Sequence, residues 1–209
     1  MNNGLFITFE GGEGSGKSTV MEHIKSLLEA RGFDVVITRE PGGSVIGEEI
    51  RDVLLKHENT GMDPLTESYL FAAARRQHLM ERIVPELELG KVVLCDRYVD
   101  SSIVYQGYAR AIGIEKVAAI NKVVIENYLP HMTFFIDVKP EVALMRIASN
   151  QRNQNRLDVE SQLFHQKVYE GYVALASQTP RIKRIQGDQS VEMVVQEIMA
   201  HLEDYMHES

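Results

Sequence analysis

Eight consecutive residues near the amino terminus have the types and the spacing needed to hold a phosphate group. The segment Gly11-Gly12-Glu13-Gly14-Ser15-Gly16-Lys17-Ser18 fits the pattern GxxxxGK[ST] and follows an apolar run at residues 5–9. Glycines have no Cβ, so successive backbone N–H groups can converge on phosphate oxygens. A helix predicted over residues 19–31 adds partial positive charge at its start. The alternative, a glycine-rich turn with an incidental lysine, does not explain this strand–loop–helix context.

Two side chains of this loop would carry the chemistry of nucleotide binding. We expect Lys17 to contact the β- and γ-phosphates of a nucleoside triphosphate, and the Ser18 hydroxyl to take one position on Mg²⁺. Before a nucleotide binds, we expect the Lys17 ammonium to be exposed to solvent. The sequence therefore predicts a nucleoside triphosphate site that follows the first strand.

The elements that position this loop alternate between strands and helices. Further strands are predicted at residues 34–38, 91–95, 133–138 and 181–186, with helical segments between them. Most of these runs are almost continuously apolar or β-branched, which is typical of strands covered on both faces. The alternation predicts an α/β fold in three layers, with a five-stranded parallel sheet flanked by helices. No linker or internal repeat is visible, so we expect a single domain over residues 1–209.

A carboxylate and a guanidinium, Asp96 and Arg97, directly follow the predicted strand at residues 91–95. Ligands bind at the carboxyl edge of open parallel sheets, where Asp96 could hold Mg²⁺ through water and Arg97 could bind phosphate bidentately. An aspartate that merely caps the next helix is the alternative. If Asp100 caps a short helix, two polar pairs suited to recognising a heterocycle share adjacent faces of that helix. The pairs are Ser101 with Tyr105 and Ser102 with Gln106.

A long helix is predicted over residues 63–89, and its apolar stripe contains arginines. Arg75 and Arg76 lie on or beside the stripe, and Phe71 shares a face with Arg75. A guanidinium in the core requires an anionic or hydrogen-bonding partner. An arginine whose stem packs while its head reaches water is the alternative.

Two loops complete the set of candidate segments. The string Arg39-Glu40-Pro41-Gly42-Gly43 ends the second strand, and Arg51 lies on the following helix. Alone, this string indicates only a turn. Residues 149–156 contain two arginines, Arg152 and Arg156, and no apolar residue, which by itself is typical of a mobile surface loop.

Composition limits the classes of partner and the location. The chain of 209 residues has a net charge of −8, which argues against the broad basic face that nucleic-acid polymers require. No apolar run reaches the roughly 18 residues needed to span a bilayer, so no membrane partner is expected. The amino terminus lacks the features of a secretory signal, and Cys95 is the single cysteine. We therefore expect a cytoplasmic location.

Together these motifs resemble those of the bacterial thymidylate kinases, a family of P-loop nucleoside monophosphate kinases. The resemblance covers almost the whole chain, and its Asp-Arg-Tyr and Tyr-Gln-Gly strings are specific to this family. The matching segments are Phe9-Glu10-Gly11, Arg39-Glu40-Pro41-Gly42-Gly43, Leu70-Phe71-Ala72-Ala73-Ala74-Arg75-Arg76, Asp96-Arg97-Tyr98, Ser101-Ser102, Tyr105-Gln106-Gly107 and Asn155-Arg156-Leu157-Asp158. The resemblance implies a P-loop NTPase fold with a short mobile lid at about residues 149–157, and a homodimer packed through helices.

The resemblance also assigns roles to individual residues. ATP binding is assigned to Gly11, Gly12, Glu13, Gly14, Ser15, Gly16, Lys17, Ser18 and Thr19. Substrate binding is assigned to Glu40, Arg51, Phe71, Arg75, Arg97, Ser101, Ser102, Tyr105 and Gln106. Metal binding is assigned to Ser18 and Asp96, and catalysis to Lys17, Glu13, Arg97, Arg152 and Arg156.

Within the substrate site, the resemblance implies contacts with each part of a thymidine monophosphate. Phe71 would stack on thymine, and Arg75 would donate a hydrogen bond to its carbonyl. Ser102 and Gln106 would face the base. Tyr105 would crowd the 2′ position of the sugar and so favour deoxyribose.

The resemblance further implies how phosphate charge is balanced. Arg51 and Arg97 would hold the monophosphate, and Glu13 would lie near the sugar 3′-hydroxyl and the water shell of the metal. Gly14 stands where some family members carry an arginine. The arginine that stabilises the transition state must then come from elsewhere, and the lid, with Arg152 and its neighbour Arg156, resembles its source in the bacterial subtype.

The implied reaction is ATP + dTMP → ADP + dTDP with Mg²⁺, in the formation of dTTP by both the de novo and the salvage routes. Two alternatives remain. Another nucleoside or deoxynucleoside monophosphate kinase would not need the Phe71/Arg75 and Tyr105/Gln106 pairs together. A P-loop nucleotide-binding switch would normally carry Asn-Lys-x-Asp, and the nearest string, Asn121-Lys122-Val123-Val124, lacks the acid.

Overall fold

Among the residues that the structure describes, five parallel strands form the central sheet. The computed structural model describes residues 4–149 and 156–208. Its strands are β1 (Leu5–Glu10), β2 (Val35–Arg39), β3 (Val92–Asp96), β4 (Met132–Asp137) and β5 (Ile182–Gln186). They are adjacent in the order β2-β3-β1-β4-β5, and every pairing is parallel. Each boundary lies within one residue of its predicted position, so the prediction of a parallel α/β sheet is confirmed.

Helices cover both faces of this sheet. They are α1 (Lys17–Glu29), α2 (Val45–Leu55), α3 (Pro64–His78), α4 (Val84–Glu88), α5 (Val99–Ser102), α6 (Ile114–Ile125), α7 (Pro140–Ser149), α8 (Gln162–Gln178) and α9 (Val191–Glu208). Within the described residues, no helix is both long enough and apolar enough to cross a membrane.

Alternate side chains of a strand enter different cores, because successive strand residues point to opposite faces of the sheet. Ile7 and Phe9 of β1 pack with α1 and α9 on one face, where Ile24 and Ile198 are fully buried. Phe6, their neighbour in β1, packs on the opposite face toward the helices α3 to α6. Burial on both faces explains why the strands read as almost continuous apolar runs.

The long helix predicted over residues 63–89 is present as α3 and α4, joined by a π-helical turn at Leu79–Ile83. Asp63 caps its start, since its carboxylate accepts a hydrogen bond from the backbone N–H of Thr66 at 2.9 Å. Pro85 has no N–H to donate to the carbonyl four residues earlier, and its ring crowds that carbonyl. Both effects favour the wider turn.

The short helix after β3 does not begin as predicted. It starts at Val99, so Asp100 lies inside α5 and does not cap it. The helix then continues as a π-helical stretch, Ile103–Ala109. The Asp100 carboxylate is buried and instead accepts two hydrogen bonds from Arg181, at 2.7 and 2.6 Å.

This ion pair is linked to the two central strands. Arg181 also donates to the hydroxyl of Thr133 in β4 at 2.7 Å, and that hydroxyl lies 2.7 Å from the hydroxyl of Thr8 in β1. Removing one partner of a buried ion pair leaves the other charge without compensation, which is strongly destabilising. The Asp100–Arg181 pair should therefore contribute to stability even though it lies outside the predicted sites.

Replacing Arg181 with methionine should destabilise the fold, because Asp100 would stay buried without its charged partner. We expect the free energy of unfolding, measured by urea denaturation, to fall by about 3 kcal/mol. Arg184→Met is the matched control: Arg184 pairs with Asp137, but its side chain is 50% exposed. The control should lose less than about 1 kcal/mol. Equal losses of unfolding free energy in the two variants would contradict a special role for the Asp100–Arg181 pair.

Candidate functional site

The predicted phosphate loop connects the end of β1 to the start of α1. Gly16 has a φ of 94°, a left-handed conformation that glycine adopts without strain, and α1 begins at the next residue, Lys17. The Lys17 ammonium donates hydrogen bonds to the carbonyl oxygens of Gly11 at 3.2 Å and Gly12 at 3.0 Å. The side chain is only 6% exposed, so the expected solvent exposure is wrong. Burial, followed by the nearby Arg97, lowers the pKa of this ammonium below its ordinary value.

Gly14 packs closely against α7 and has no room for a side chain. Its φ is +74°, and a Cβ there would lie 2.6 Å from the carbonyl oxygen of Ala143 and 2.9 Å from Cγ1 of Ile147. An arginine at this position would therefore require α7 to move. The loop has no arginine at position 14, and α7 packs closely over that position.

Within the described part of the chain, two cavities of several hundred Å³ open beside this loop at the carboxyl edge of the sheet. The first, which we call the Phe71 cavity, has a volume of about 320 Å³. Eight of the nine predicted substrate-binding residues line it: Glu40, Arg51, Phe71, Arg97, Ser101, Ser102, Tyr105 and Gln106. The structure thus brings together side chains from segments that are far apart in the sequence.

The second cavity lies over the start of α1, and we call it the phosphate-loop cavity. Its volume is about 530 Å³, and the predicted ATP-binding residues that line it are Glu13, Gly14, Ser15, Gly16, Lys17, Ser18 and Thr19. Gly11 and Gly12 lie in the loop but are not among the described residues that line this cavity. Four residues line both cavities: Glu13, Ser18, Asp96 and Arg97. The two cavities therefore meet at these four side chains.

Arg97 is held at this junction from several directions. Its backbone has a φ of 69°, and its N–H donates to the carbonyl of Phe9 at 2.9 Å. The guanidinium donates to the carboxylate of Glu13 at 2.9 Å, the hydroxyl of Ser101 at 3.3 Å and the hydroxyl of Tyr172 at 3.1 Å. A cation that is only 11% exposed is thereby fixed where the cavities meet.

Tyr105 forms part of the wall of the Phe71 cavity beside Arg97. The Arg97 guanidinium carbon lies 5.2 Å from the centre of its ring, a cation–π distance. The ring also packs edge-on against Phe164 and Tyr172. Burial raises the pKa of Tyr105 to about 12, so its hydroxyl is neutral at physiological pH.

Ser18 and Asp96 offer oxygen atoms at the same junction. The Ser18 hydroxyl donates to Asp96 Oδ2 at 3.4 Å, and the Lys17 ammonium lies 3.9 Å from Asp96 Oδ1. Oδ1 is buried and receives no hydrogen bond within the described part of the chain. A buried carboxylate oxygen without a hydrogen-bond donor, next to a hydroxyl, suits a hard cation such as Mg²⁺.

Arg75 is buried behind the Phe71 cavity. Its side chain is 1% exposed, and among the described residues it does not line that cavity. It donates to the Glu40 carboxylate at 2.8 Å and to the Ser102 hydroxyl at 2.9 Å. It also donates to the Tyr98 carbonyl at 2.9 Å and to the side chain of Asn121. The predicted polar partners exist, and two of them, Glu40 and Ser102, line the cavity.

Arg156 is buried, which differs from the expectation of a solvent-exposed loop residue. Its side chain donates to the Leu54 carbonyl at 2.8 Å and to the Glu67 carboxylate at 2.6 Å. Its backbone N–H donates to the Leu55 carbonyl at 3.2 Å. The polar sequence around it could not reveal this anion, because the anion lies 89 residues away. Arg152 lies outside the described residues.

Glu10, for which no role was predicted, is central to the site. Its carboxylate accepts hydrogen bonds from the Tyr98 N–H at 2.8 Å, the Ser101 hydroxyl at 2.6 Å and the Tyr172 hydroxyl at 2.7 Å. Burial, followed by the nearby Asp100, raises its pKa. Its position as the last residue of β1, directly before the loop, was the available signal.

Glu67 and His78 were also missed. Both are buried, and His78 lies 3.1 Å from the Glu40 carboxylate. Together with Phe71 and Arg75 they follow a spacing of four, four and three residues along α3, which places them on one face. Extending the Phe71–Arg75 spacing in both directions would have found them.

The loop and the sheet together define the class of protein. A GxxxxGK[ST] loop that joins the first strand of a parallel sheet to a helix characterises a P-loop nucleotide-binding protein. The thymidylate kinase family model matches residues 9–198 of the chain.

Individual relatives agree along nearly the whole chain. It is 53% identical to the thymidylate kinase of Oceanobacillus iheyensis over 207 residues, which cover 98% of this chain and 92% of that protein. For the thymidylate kinase of Clostridium novyi the identity is 50%, over 97% of this chain and 100% of that protein. The crystal structure of thymidylate kinase from Ehrlichia chaffeensis has a TM-score of 0.77 at 34% identity, covering 96% and 99% of the two chains. The chain belongs to the thymidylate kinase family and is therefore a kinase, which confirms the resemblance inferred from its motifs.

Replacing Gly14 with alanine should destabilise the loop and α7, because its φ is positive and the new Cβ would overlap Ala143 and Ile147. We expect the free energy of unfolding to fall by about 3 kcal/mol, from backbone strain and overpacking together. Gly12→Ala is the matched control, since a Cβ at Gly12 meets no atom of the described residues within 4 Å. Its loss should stay below about 1 kcal/mol. Similar stabilities of the two variants would show that α7 does not restrict position 14.

Proposed function

We propose that this kinase transfers the γ-phosphoryl group of ATP to dTMP, giving ADP and dTDP. The observation that carries the proposal is the junction of two cavities at Glu13, Ser18, Asp96 and Arg97. A phosphoryl group can pass directly between two nucleotides only where their sites meet, and a closed junction excludes water. The relatives that match nearly the whole chain are also named thymidylate kinases.

ATP is proposed to occupy the phosphate-loop cavity. The loop glycines and the start of α1 supply backbone N–H groups and partial positive charge for its phosphates. Lys17 would exchange its bonds to the Gly11 and Gly12 carbonyls for bonds to phosphate oxygens. Its buried position keeps the ammonium within reach of the phosphates instead of in bulk solvent.

The acceptor dTMP is proposed to occupy the Phe71 cavity. Phe71 would stack on the base, and Tyr105 would crowd the sugar 2′ position. Arg51 and Arg97 would hold the monophosphate, and both line the cavity. Arg51 is held in place by a hydrogen bond from its guanidinium to the carbonyl of Pro41 at 2.7 Å.

The chemical step needs little covalent help from the protein. An oxygen of the dTMP phosphate bonds to the γ-phosphorus while the bond from that phosphorus to the β–γ bridging oxygen breaks, and ADP leaves with the electron pair. The acceptor phosphate is already anionic near neutral pH, so no general base is required. Positioning and charge neutralisation by Lys17 and Arg97 would provide the catalysis, with Arg152 of the lid proposed to add charge in the transition state.

Mg²⁺ is the proposed cofactor, with ATP as co-substrate. Ser18 and Asp96 would hold it, because they offer the hydroxyl and carboxylate oxygens that this cation prefers. When bound, the ion would neutralise negative charge on the phosphate groups. We further propose, as for the family, one domain over residues 1–209 with a lid at about 149–157, a homodimer, and a cytoplasmic role in dTTP formation.

The proposed function is tested by measuring ADP release with a panel of ribo- and deoxyribonucleoside monophosphates. We expect dTMP to give the highest kcat/KM. Lys17→Met should lower kcat by about 10²–10³-fold, because it removes a charge that faces the transferring group. The affinity for dTMP, measured by calorimetry, should stay close to the wild-type value.

Lys25→Met is the control for the loss of a lysine from α1. Lys25 lies on the surface, where it pairs with Glu29, so its variant should keep the wild-type kcat. Near-normal turnover in Lys17→Met would contradict the proposal that this loop holds the phosphates of ATP. A higher kcat/KM with another monophosphate would show that this other monophosphate, and not dTMP, is the preferred substrate.

The two lid arginines should respond differently to replacement. Arg152→Ala should lower kcat by at least about 10²-fold with little change in dTMP affinity, because the proposed contact forms in the transition state. Arg156→Ala should instead lower the free energy of unfolding by about 3 kcal/mol, because Glu67 would lose a buried partner. Steady-state kinetics and urea denaturation measure both. Wild-type kcat in Arg152→Ala would show that the lid is a passive cover.

A further inference from the structure

Glu67 is a buried carboxylate that connects a wall residue of the Phe71 cavity to two arginines. Its side chain is 1% exposed, and among the described residues it does not line the cavity. Its Oε1 accepts a hydrogen bond from Gln106 Nε2 at 2.9 Å, and its Oε2 accepts one from Arg156 at 2.6 Å. Arg110 contacts both oxygens at 3.4 Å. Gln106, by contrast, lines the cavity.

The surroundings of Glu67 keep it ionised. Burial alone would raise its pKa, but the hydrogen bond from Gln106 and the charges of Arg110 and Arg156 outweigh burial, so the pKa lies below its ordinary value. An ionised carboxylate has no hydrogen to donate. Every hydrogen bond that the Glu67 carboxylate makes at neutral pH is therefore one that it accepts.

This property fixes the orientation of the Gln106 amide. Because Glu67 only accepts, the NH₂ end of the amide must face it, and the carbonyl end is left for the cavity. Within the described part of the chain, no hydrogen bond reaches Gln106 Oε1. The cavity wall thus offers a hydrogen-bond acceptor whose orientation is determined by a carboxylate behind it.

Ser102 is oriented in the same manner by Arg75. A guanidinium has no acceptor, so the Ser102 oxygen accepts the bond from Arg75 at 2.9 Å and its own hydrogen remains for another partner. Arg75 is in turn held by the buried carboxylate of Glu40. The wall therefore combines an acceptor from Gln106 with a donor from Ser102.

We propose that Glu67 is a positioning residue for base selection, which holds Gln106 so that the cavity favours a base with a hydrogen on N3. The inference rests on the proposed function, since it takes a pyrimidine nucleotide as the ligand of the Phe71 cavity. Thymine and uracil carry N3–H next to a carbonyl at position 4, whereas cytosine has a bare N3 next to an amino group. An acceptor beside a donor matches the first pattern and opposes the second.

Replacing Glu67 with glutamine removes the constraint with little change in volume. A glutamine at this position can accept or donate, so the Gln106 amide can turn and present its NH₂ group to the cavity. The turned amide can donate to the bare N3 of cytosine. The variant should therefore lose discrimination between bases that differ at N3.

The test is to titrate dTMP, dUMP and dCMP calorimetrically into the wild-type protein and Glu67→Gln. In the wild type, dCMP should bind more weakly than dUMP, and in the variant the Kd ratio of dCMP to dUMP should fall about tenfold. The ratio of dUMP to dTMP should not change, because these bases share the same hydrogen-bonding edge and differ by one methyl group. A general loss of packing would not separate the two ratios in this way.

Glu160→Gln is the matched control. Glu160 also accepts a hydrogen bond from Arg110, but Gln106 is not among its hydrogen-bond partners, so both ratios should stay at their wild-type values. Gln106→Met removes the amide and should lower the dCMP to dUMP ratio by itself. Adding Glu67→Gln to that variant should then change the ratio no further. If Glu67→Gln does not fold, Glu67→Asp keeps the charge on a shorter side chain and should shift the ratio in the same direction by less.

A wild-type ratio near one, or a ratio that Gln106→Met leaves unchanged, would overturn the inference. The same holds if a folded Glu67→Gln keeps the wild-type ratio, or if Glu160→Gln lowers it equally. Failure of the proposed function has a different signature, namely no ADP release with dTMP in the wild-type protein. The binding ratios do not depend on turnover, so the two failures are distinguishable.

Discussion

A carboxylate buried at the end of a strand must have its oxygens satisfied, and the geometry of the site depends on how Glu10 meets this requirement. It accepts hydrogen bonds from the backbone N–H groups of Tyr98 and Ser101 and from the hydroxyls of Ser101 and Tyr172. These donors lie in the segment after β3 and in α8. One carboxylate thus joins both segments to the strand that leads into the phosphate loop. Arg97 lies between these anchors, which explains how its left-handed φ of 69° is maintained.

The meeting of the two cavities follows from the neighbouring positions of β1 and β3. Phe9 pairs with Asp96 in the parallel register, so both strands end at the same edge of the sheet. The loop after β1 contributes Glu13 and Ser18, and the end of β3 contributes Asp96 and Arg97. Parallel pairing places these groups beside each other although residues 11–91 separate the two strands in the chain. A site for transfer between two ligands therefore needs only two adjacent strands with the correct residues at their ends.

Patterns along single elements were sufficient to predict the fold. The strand boundaries, the phosphate loop and the long helix over residues 63–89 depend on local periodicity and turn chemistry, and they were predicted almost to the residue. The family resemblance, now confirmed, added roles for the site residues that remain predictions. The contacts of charged side chains were not predictable in this manner. Asp100 was expected to cap a helix, yet its partner, Arg181, lies 81 residues away in the chain.

The π-helical stretches were missed for a related reason. A hydrophobic pattern near a period of 3.6 residues does not resolve one widened turn, and the cause of the first, Pro85, acts on a carbonyl four residues earlier. The partner of Arg156 was missed because the segment around it has no apolar residue and so gives no periodic signal. For Arg156 the decisive interaction joins two elements, and the sequence of one element carries no record of the other.

Arginines paired with buried carboxylates would allow an acidic chain to hold phosphate and still read a neutral base. Arg75, Arg156 and Arg181 are each paired with a buried carboxylate, so their charges are compensated and contribute little to the field in the cavities. Arg51 and Arg97 line the Phe71 cavity, where an anionic ligand can use their charge. The first group nevertheless affects the ligand, because an arginine only donates and a carboxylate only accepts. In the proposed site, the Arg75–Glu40 pair orients the Ser102 hydroxyl and the Arg156–Glu67 pair orients the Gln106 amide. Charges that never touch the ligand can thereby set its hydrogen-bonding pattern.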